Sequence, residues 1–164
     1  MVIDDRLKAL GIELPCAPSP AGSYQSVVIR NGVGYVSGQL PFRNGVLAYA
    51  GRVGDELSLE EAMRAAELAT LNVLAQIKCS TDQWRSFARL LRLEGYVASA
   101  RGFANQPEIL DRASRLFSQV LGDRGAHARA AFSVEQLPLD ASVELVVTFA
   151  VRPDAQAVGR AVQY

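Results

Sequence analysis

Two charges stand in runs that are otherwise small or apolar. Arg129 lies in Gly125-Ala126-His127-Ala128-Arg129-Ala130-Ala131-Phe132-Ser133-Val134, and Glu144 lies in Ala141-Ser142-Val143-Glu144-Leu145-Val146-Val147-Thr148-Phe149. Both runs have β-strand composition, and a charge within such a strand needs a reason. Arginine offers a planar fork that grips a carboxylate through two parallel N–H donors. A glutamate beside apolar surface has its charged form disfavoured and can pass protons to and from a water. With hydroxyls to orient a ligand, the pair suits hydrolysis of a small carboxylate substrate. The same two residues equally suit an ion pair that braces a sheet or an interface.

Other chemistry is sparse. His127 is the single histidine, so a multi-histidine metal site is excluded. It could act as a second acid or base, or cap the strand entrance and fill an interface. Ser37, in Tyr35-Val36-Ser37-Gly38-Gln39, lacks the glycine-flanked elbow of a serine hydrolase. Cys16 and Cys79 have neither metal nor redox spacing and are expected to be reduced, intracellular thiols. No phosphate loop, dinucleotide fingerprint or zinc spacing occurs.

The elements that must position these residues come from a chain of 164 residues, 49% hydrophobic and 21% charged. That is enough for one sizeable core, and a single domain is expected. The formal net charge is +0, so no long-range field draws in nucleic acid or an anionic membrane. No apolar run approaches the roughly 18 residues a membrane helix needs. The mixed-charge Met1-Val2-Ile3-Asp4-Asp5-Arg6 lacks signal-peptide character, so a cytoplasmic location is expected.

A short helix is expected over Ile3 to Leu10, ended by Gly11. Ser23 to Arg30 and Val33 to Gln39 flank Asn31-Gly32, a strong type I′ hairpin signal. Its register sets Val28 opposite Tyr35, with Tyr24, Ser26, Ser37 and Gln39 on one face. Val27, Ile29, Val36 and Gly38 fall on the core face. Leu40 to Glu56, with Asn44-Gly45, reads as a loop or small ribbon. Ser58 and Glu61 form a capping box for a helix to about Lys78, buried through Ala62, Ala65, Ala66, Ala69, Val73 and Ile77. Trp84 follows as a packing residue. Ala88 to Ala98 alternates as a strand, with Leu91, Leu93, Gly95 and Val97 on one face and Arg92, Glu94 and Tyr96 on the other. A second helix begins at Asn105 or Gln106 with Pro107 near its first turn. The last two strands read as a hairpin, Pro153 closes the final one, and Ala155 to Tyr164 reads as a weakly structured tail.

The order ββ-α-β-α-ββ predicts an α+β domain with two long helices on one face of a mixed β-sheet. If Phe132, Val134, Val143, Leu145, Val147 and Phe149 face the helices, Arg129 and Glu144 share the far face. That face also carries Val28, Tyr35, Ala131 and Val146, with few lysines or glutamates. Such a face is expected to be covered by another copy of the chain, with pockets near Arg129, Glu144, Tyr24 and Ser37 where subunits meet.

At these residues the chain resembles the Rid family of reactive enamine/imine deaminases, also called YjgF-like. The resemblance covers roughly 21–151. It rests on Ala21-Gly22-Ser23-Tyr24-Gln25, on Ser37-Gly38-Gln39-Leu40-Pro41, and on His127-Ala128-Arg129 followed by Leu137-Pro138 and Val143-Glu144-Leu145. The resemblance implies a chorismate-mutase-like subunit of the bacillus type, with a core at about 21–152 and a tail at 153–164. It implies a homotrimer whose sheets form a central barrel, with sites between subunits. It further implies hydrolysis of 2-imino or enamino acids to 2-keto acids and ammonia without a cofactor. Arg129 would clamp the substrate carboxylate and Glu144 would position or activate water. Tyr24 would line the pocket, Ser37 and Gly38 would border it, and His127 would lie beside it. His127 stands where the family usually has proline, and Ala131 where the best-known deaminases have cysteine, which marks a divergent subgroup.

A second function class is a non-catalytic trimer that binds a small carboxylate or keto acid. Both functions need Arg129, and only turnover needs Glu144. An endoribonuclease function has also been attached to this family. The neutral charge and the lack of a basic aromatic face argue against a nucleic-acid partner.

Overall fold

The computed structural model describes residues 2–152. Helix α1 spans Ile3–Ala9, with Asp4 and Asp5 in its first turn and Ile3 and Leu7 buried. Strands β1 (Val27–Arg30) and β2 (Val33–Gln39) form the expected hairpin, but β1 begins at Val27 rather than Ser23, so Tyr24 lies before the strand and not opposite Gln39. Val28 pairs with Tyr35, and Asn31 and Gly32 both take the positive φ that a type I′ turn requires. A ribbon of β3 (Phe42–Arg43) and β4 (Val46–Leu47) surrounds Asn44-Gly45, as expected.

Helix α2 spans Leu59–Ser80 and carries the capping box in full. The Glu61 amide donates to Ser58 Oγ, and the Ser58 amide donates to Glu61 Oε2. All six residues of the expected stripe, from Ala62 to Ile77, are buried. Trp84 is buried beyond α2 and donates its indole N–H to Asp4. Strand β5 spans Phe87–Ala98 and helix α3 spans Gln106–Leu121, with Pro107 in its first turn. Ile109, Leu110, Ala113, Leu116, Phe117, Val120 and Leu121 form its buried stripe. A 3-10 turn over Gly122–Gly125 leads into β6 (Ala128–Val134), and β7 (Val143–Val151) completes the sheet. The expected closing proline and tail, 153–164, lie outside the described residues.

The main sheet has the order β1-β2-β7-β5-β6. It is mixed, because β5 pairs antiparallel with β7 and parallel with β6. Helices α2 and α3 pack on one face, giving the α+β layering expected. The final pair of strands is not a hairpin: β5 separates β6 from β7. Strand β5 is also irregular, with its register on β7 shifting between Leu90 and Arg92. That shift buries Leu90 and turns Leu91 outward, against the strict alternation expected for Leu91 and Leu93.

Gly95 sets how closely α3 approaches the sheet. A Cβ there would run into the Leu110 side chain. Gly95→Ala is expected to overpack this contact and cost about 1–3 kcal/mol. Urea unfolding of the variant beside the native chain measures it.

Candidate functional site

The site begins at β7. Val143, Leu145, Val147 and Phe149 are buried towards the helices, so the pleat turns Glu144, Val146 and Thr148 to the opposite face. Glu144 lies opposite Tyr96 of β5 and over Gly38 of β2. The β2–β7 register shifts between Val36 and Gln39. This reverses the faces expected at the end of β2. Gln39 turns inward and is buried, with its amide donating to the carbonyls of Ser37 (3.1 Å) and Gly38 (3.3 Å). Gly38, expected on the core face, lies under Glu144, where a Cβ would collide with the Glu144 carboxylate. Among the described residues Glu144 has no hydrogen-bond or ion-pair partner. Burial pushes its pKa above the ordinary glutamate value of 4.5.

The neighbours on this face combine a polar cluster with apolar surface. Arg92 Nε donates to Glu94 Oε1 at 2.7 Å, and the Tyr96 hydroxyl donates to Glu94 Oε2 at 3.1 Å. The Arg92 hydrogen bond holds the Glu94 carboxyl below its usual range. Burial raises the Tyr96 phenol, and Glu94 and Glu144 raise it further, so Tyr96 keeps its proton. Its ring stacks on Phe132 of β6, with centroids 5.0 Å apart. Phe132, Val28 and Tyr35 are 40%, 41% and 53% exposed. These side chains leave apolar surface open on this face of the single chain.

Arg129 does not share this face. Leu93 of β5 pairs with Arg129 on one side and Val147 on the other, which puts Arg129, Ala131 and Ser133 on the helix side. The expectation assumed that Phe132 and Val134 must face the helices. On an edge strand laid parallel against β5, Phe132 instead takes the far face, beside Tyr96. Arg129 reaches α3: its Nη1 donates to Asp111 Oδ1 at 2.8 Å and to Ser114 Oγ at 3.1 Å. His127 belongs to the same chain of contacts. Its Nδ1 lies 2.6 Å from the Gly125 carbonyl and its Nε2 lies 3.1 Å from Ser114 Oγ. Its ring meets Phe117 edge-on. Both ring nitrogens therefore have partners within the chain.

Ser37 donates its hydroxyl to the Ser26 carbonyl, which ties it to the chain entering β1. Tyr24 precedes β1 in a bend, half-exposed, with its hydroxyl accepting from the Ala21 amide at 3.2 Å. One chain thus brings Glu144 and Gly38 together and holds Arg129 and His127 together elsewhere. It does not join the two groups. The Arg92–Glu94–Tyr96 cluster was assigned to one strand face by alternation but not singled out for chemistry. Asp111 and Ser114 were missed; their i, i+3 spacing on α3 was visible, but not that β6 runs beside them. Among the described residues no three His, Cys, Asp or Glu side chains cluster to hold a metal ion. No described helix is long and apolar enough to cross a membrane.

With this geometry in hand, known proteins give a consistent comparison. Residues 4–152 match the family described as "YjgF/chorismate mutase-like, putative endoribonuclease". Protein TCP17 of Trypanosoma cruzi is 36% identical over 140 residues, 85% of this chain and 88% of that protein. The crystal structure of the protein Atu1372 from Agrobacterium tumefaciens is 40% identical with a TM-score of 0.85, covering 92% of each chain. TdcF of E. coli, solved with bound serine, is 21% identical with a TM-score of 0.60, over 83% of this chain and 93% of that one, and shares the fold.

Two outcomes follow from Glu144. Gly38→Ala should push the flexible carboxylate aside with little loss of stability, because only the far end of a side chain must move; a melting curve and a crystal structure check both halves. Because the folded-state pKa of Glu144 is raised, the native state binds more protons than the unfolded state above pH 4.5. Its contribution is favourable below 4.5 and is lost as pH rises through the raised value. Glu144→Gln should therefore stabilise the chain at neutral pH and change little at pH 4, measured by thermal unfolding at both.

Proposed function

The chain belongs to the YjgF/chorismate mutase-like family, and on that premise we propose that it hydrolyses small 2-imino or enamino acids to 2-keto acids and ammonia. The observation that carries this reading is Glu144: a partly buried carboxylate without a partner among the described residues, over a glycine, with a raised pKa. Such a group can take a proton from water at near-neutral pH. Water adds to the C=N carbon as its proton passes to Glu144. From the protonated imine this gives a carbinolamine; Glu144 returns the proton to its nitrogen, the C–N bond breaks as the hydroxyl oxygen forms C=O and passes its proton to Glu144, and ammonia leaves a 2-keto acid. Arg129 holds the substrate carboxylate, and Tyr24, Ser37 and Gly38 border the pocket. His127 acts indirectly, through Ser114. Binding of serine by TdcF supports a small carboxylate as ligand.

Within one chain Arg129 and Glu144 lie on opposite faces, with β5 between their strands. They can serve one small ligand only if one copy's β6 edge meets another copy's Glu144 face. The exposed Val28, Tyr35 and Phe132 supply apolar surface for that contact. A homotrimer with three such sites is the assembly proposed, and the chain acts as one Rid-like domain in the cytoplasm. The runner-up, binding of a small carboxylate or keto acid without turnover, is favoured by one observation: Arg129 is already paired with Asp111.

Imino acids generated in situ by an amino-acid oxidase, with semicarbazide as scavenger, test turnover. The protein should outcompete the scavenger, and Glu144→Gln should lower the rate on the order of 10²-fold or more. The acid limb of kcat/KM should lie above 4.5. If Glu144→Gln keeps ligand affinity and the native chain shows no turnover, the binding function holds instead. Co-assembly separates shared from single-chain sites. Arg129→Ala and Glu144→Gln, each inactive alone, should recover about a quarter of native activity when mixed subunits reassemble in a closed ring. Zero recovery means that each chain acts alone.

A further inference from the structure

The contacts of Arg129 have a direction. The Gly125 carbonyl can only accept, so the proton lies on His127 Nδ1, 2.6 Å away. In the neutral ring Nε2 then accepts from the Ser114 hydroxyl. Ser114 Oγ is left with lone pairs for Arg129 Nη1, which also donates to Asp111 Oδ1. This relay pins one end of the guanidinium. The backbone behind it is equally constrained, because a Cβ on Gly125 would strike the backbone of Phe117 and Ser118 in α3.

Among the described contacts, Arg129 uses only Nη1 and Asp111 uses only Oδ1. The Nε–Nη2 edge of the guanidinium remains to take an anion through two N–H donors. Asp111 Oδ2 is likewise unused among the described contacts and can accept an N–H. The Asp111 side chain is 47% exposed and that of Arg129 24%, so a ligand can approach this edge.

We propose that Arg129 and Asp111 together form a reader for zwitterions, so that Asp111 is a specificity-determining residue for the ligand's nitrogen. The ligand's carboxylate lies on Arg129, and its ammonium or iminium N–H donates to Asp111. A carboxylate without a charged N–H meets Asp111 only as a like charge. The site therefore favours 2-amino and 2-imino acids over 2-keto acids. Under the hydrolysis proposed above, on which this consequence rests, the product loses the group that Asp111 holds and leaves readily.

Calorimetric titration of the assembled native protein and of Asp111→Asn with alanine, serine, pyruvate and 2-oxobutanoate tests this without turnover. The native protein should bind the amino acids more tightly than the matching keto acids. Asp111→Asn should weaken amino-acid binding and strengthen keto-acid binding, changing their ratio on the order of tenfold. Asp111→Ser, which also removes the charge, should move the ratio the same way, so the result does not depend on one variant's folding. An unchanged ratio in both variants overturns the inference, as does a native preference for keto acids. If the ratio shifts while imino acids are never hydrolysed, the reader stands and the hydrolysis reading fails. Hydrolysis with an unchanged ratio gives the reverse.

Discussion

The pairing of β6 with β5 rather than β7 decides where each chemical group lies. A parallel strand needs a crossover, and α3 with its 3-10 turn supplies it. Gly95 and Gly125 let that crossover lie close, one against Leu110 and the other against the backbone of α3. Once β6 is laid this way, Arg129 must face α3 and Phe132 must face away. Had β6 paired with β7 in a hairpin, the two charges could have met within one chain.

Elements were legible in the sequence because local signals marked them. Asn31-Gly32, the Ser58/Glu61 box, the alanine stripe of α2 and Pro107 each act within a few residues, and each appears in the fold. Pairing was not legible, because it depends on which strand edge remains when the others have docked. Three misplacements have this origin. Gly38 and Gln39 exchange faces at a bulge, Leu90 replaces Leu91 in the core, and Arg129 changes face with the pairing of its strand. Alternation is a reliable rule only while register runs unbroken, and a single extra residue reverses it. The candidate residues could be singled out one by one, but their division between two faces could not be read from the sequence.

The two halves of the site solve opposite electrostatic problems. Glu144 has no partner among the described residues where burial disfavours its charge, a costly arrangement that stability alone would not maintain. Gly38 makes room for it, and the same bulge buries Gln39 with its amide satisfied by the neighbouring carbonyls. Arg129 has the reverse condition, with an anion, a hydroxyl and, through that hydroxyl, a histidine fixing its orientation. A clamp benefits from being held rigidly before its ligand arrives, whereas a proton acceptor benefits from having no competing donor.

This contrast bears on why the halves are kept apart. If Glu144 and Arg129 faced each other within one chain, they would form an ion pair. The attraction would lower the glutamate's pKa and satisfy the arginine, and neither would be available for a ligand. The sheet between them prevents this in the single chain. Asp111 meanwhile partly neutralises Arg129 on its own side, so in the proposed assembly a neighbouring copy would bring up a cation already engaged rather than a bare one. A glutamate facing that edge keeps more of its raised pKa than it would beside an isolated guanidinium. On the function proposed, Asp111 would thereby link ligand choice at Arg129 to the proton-accepting capacity of Glu144.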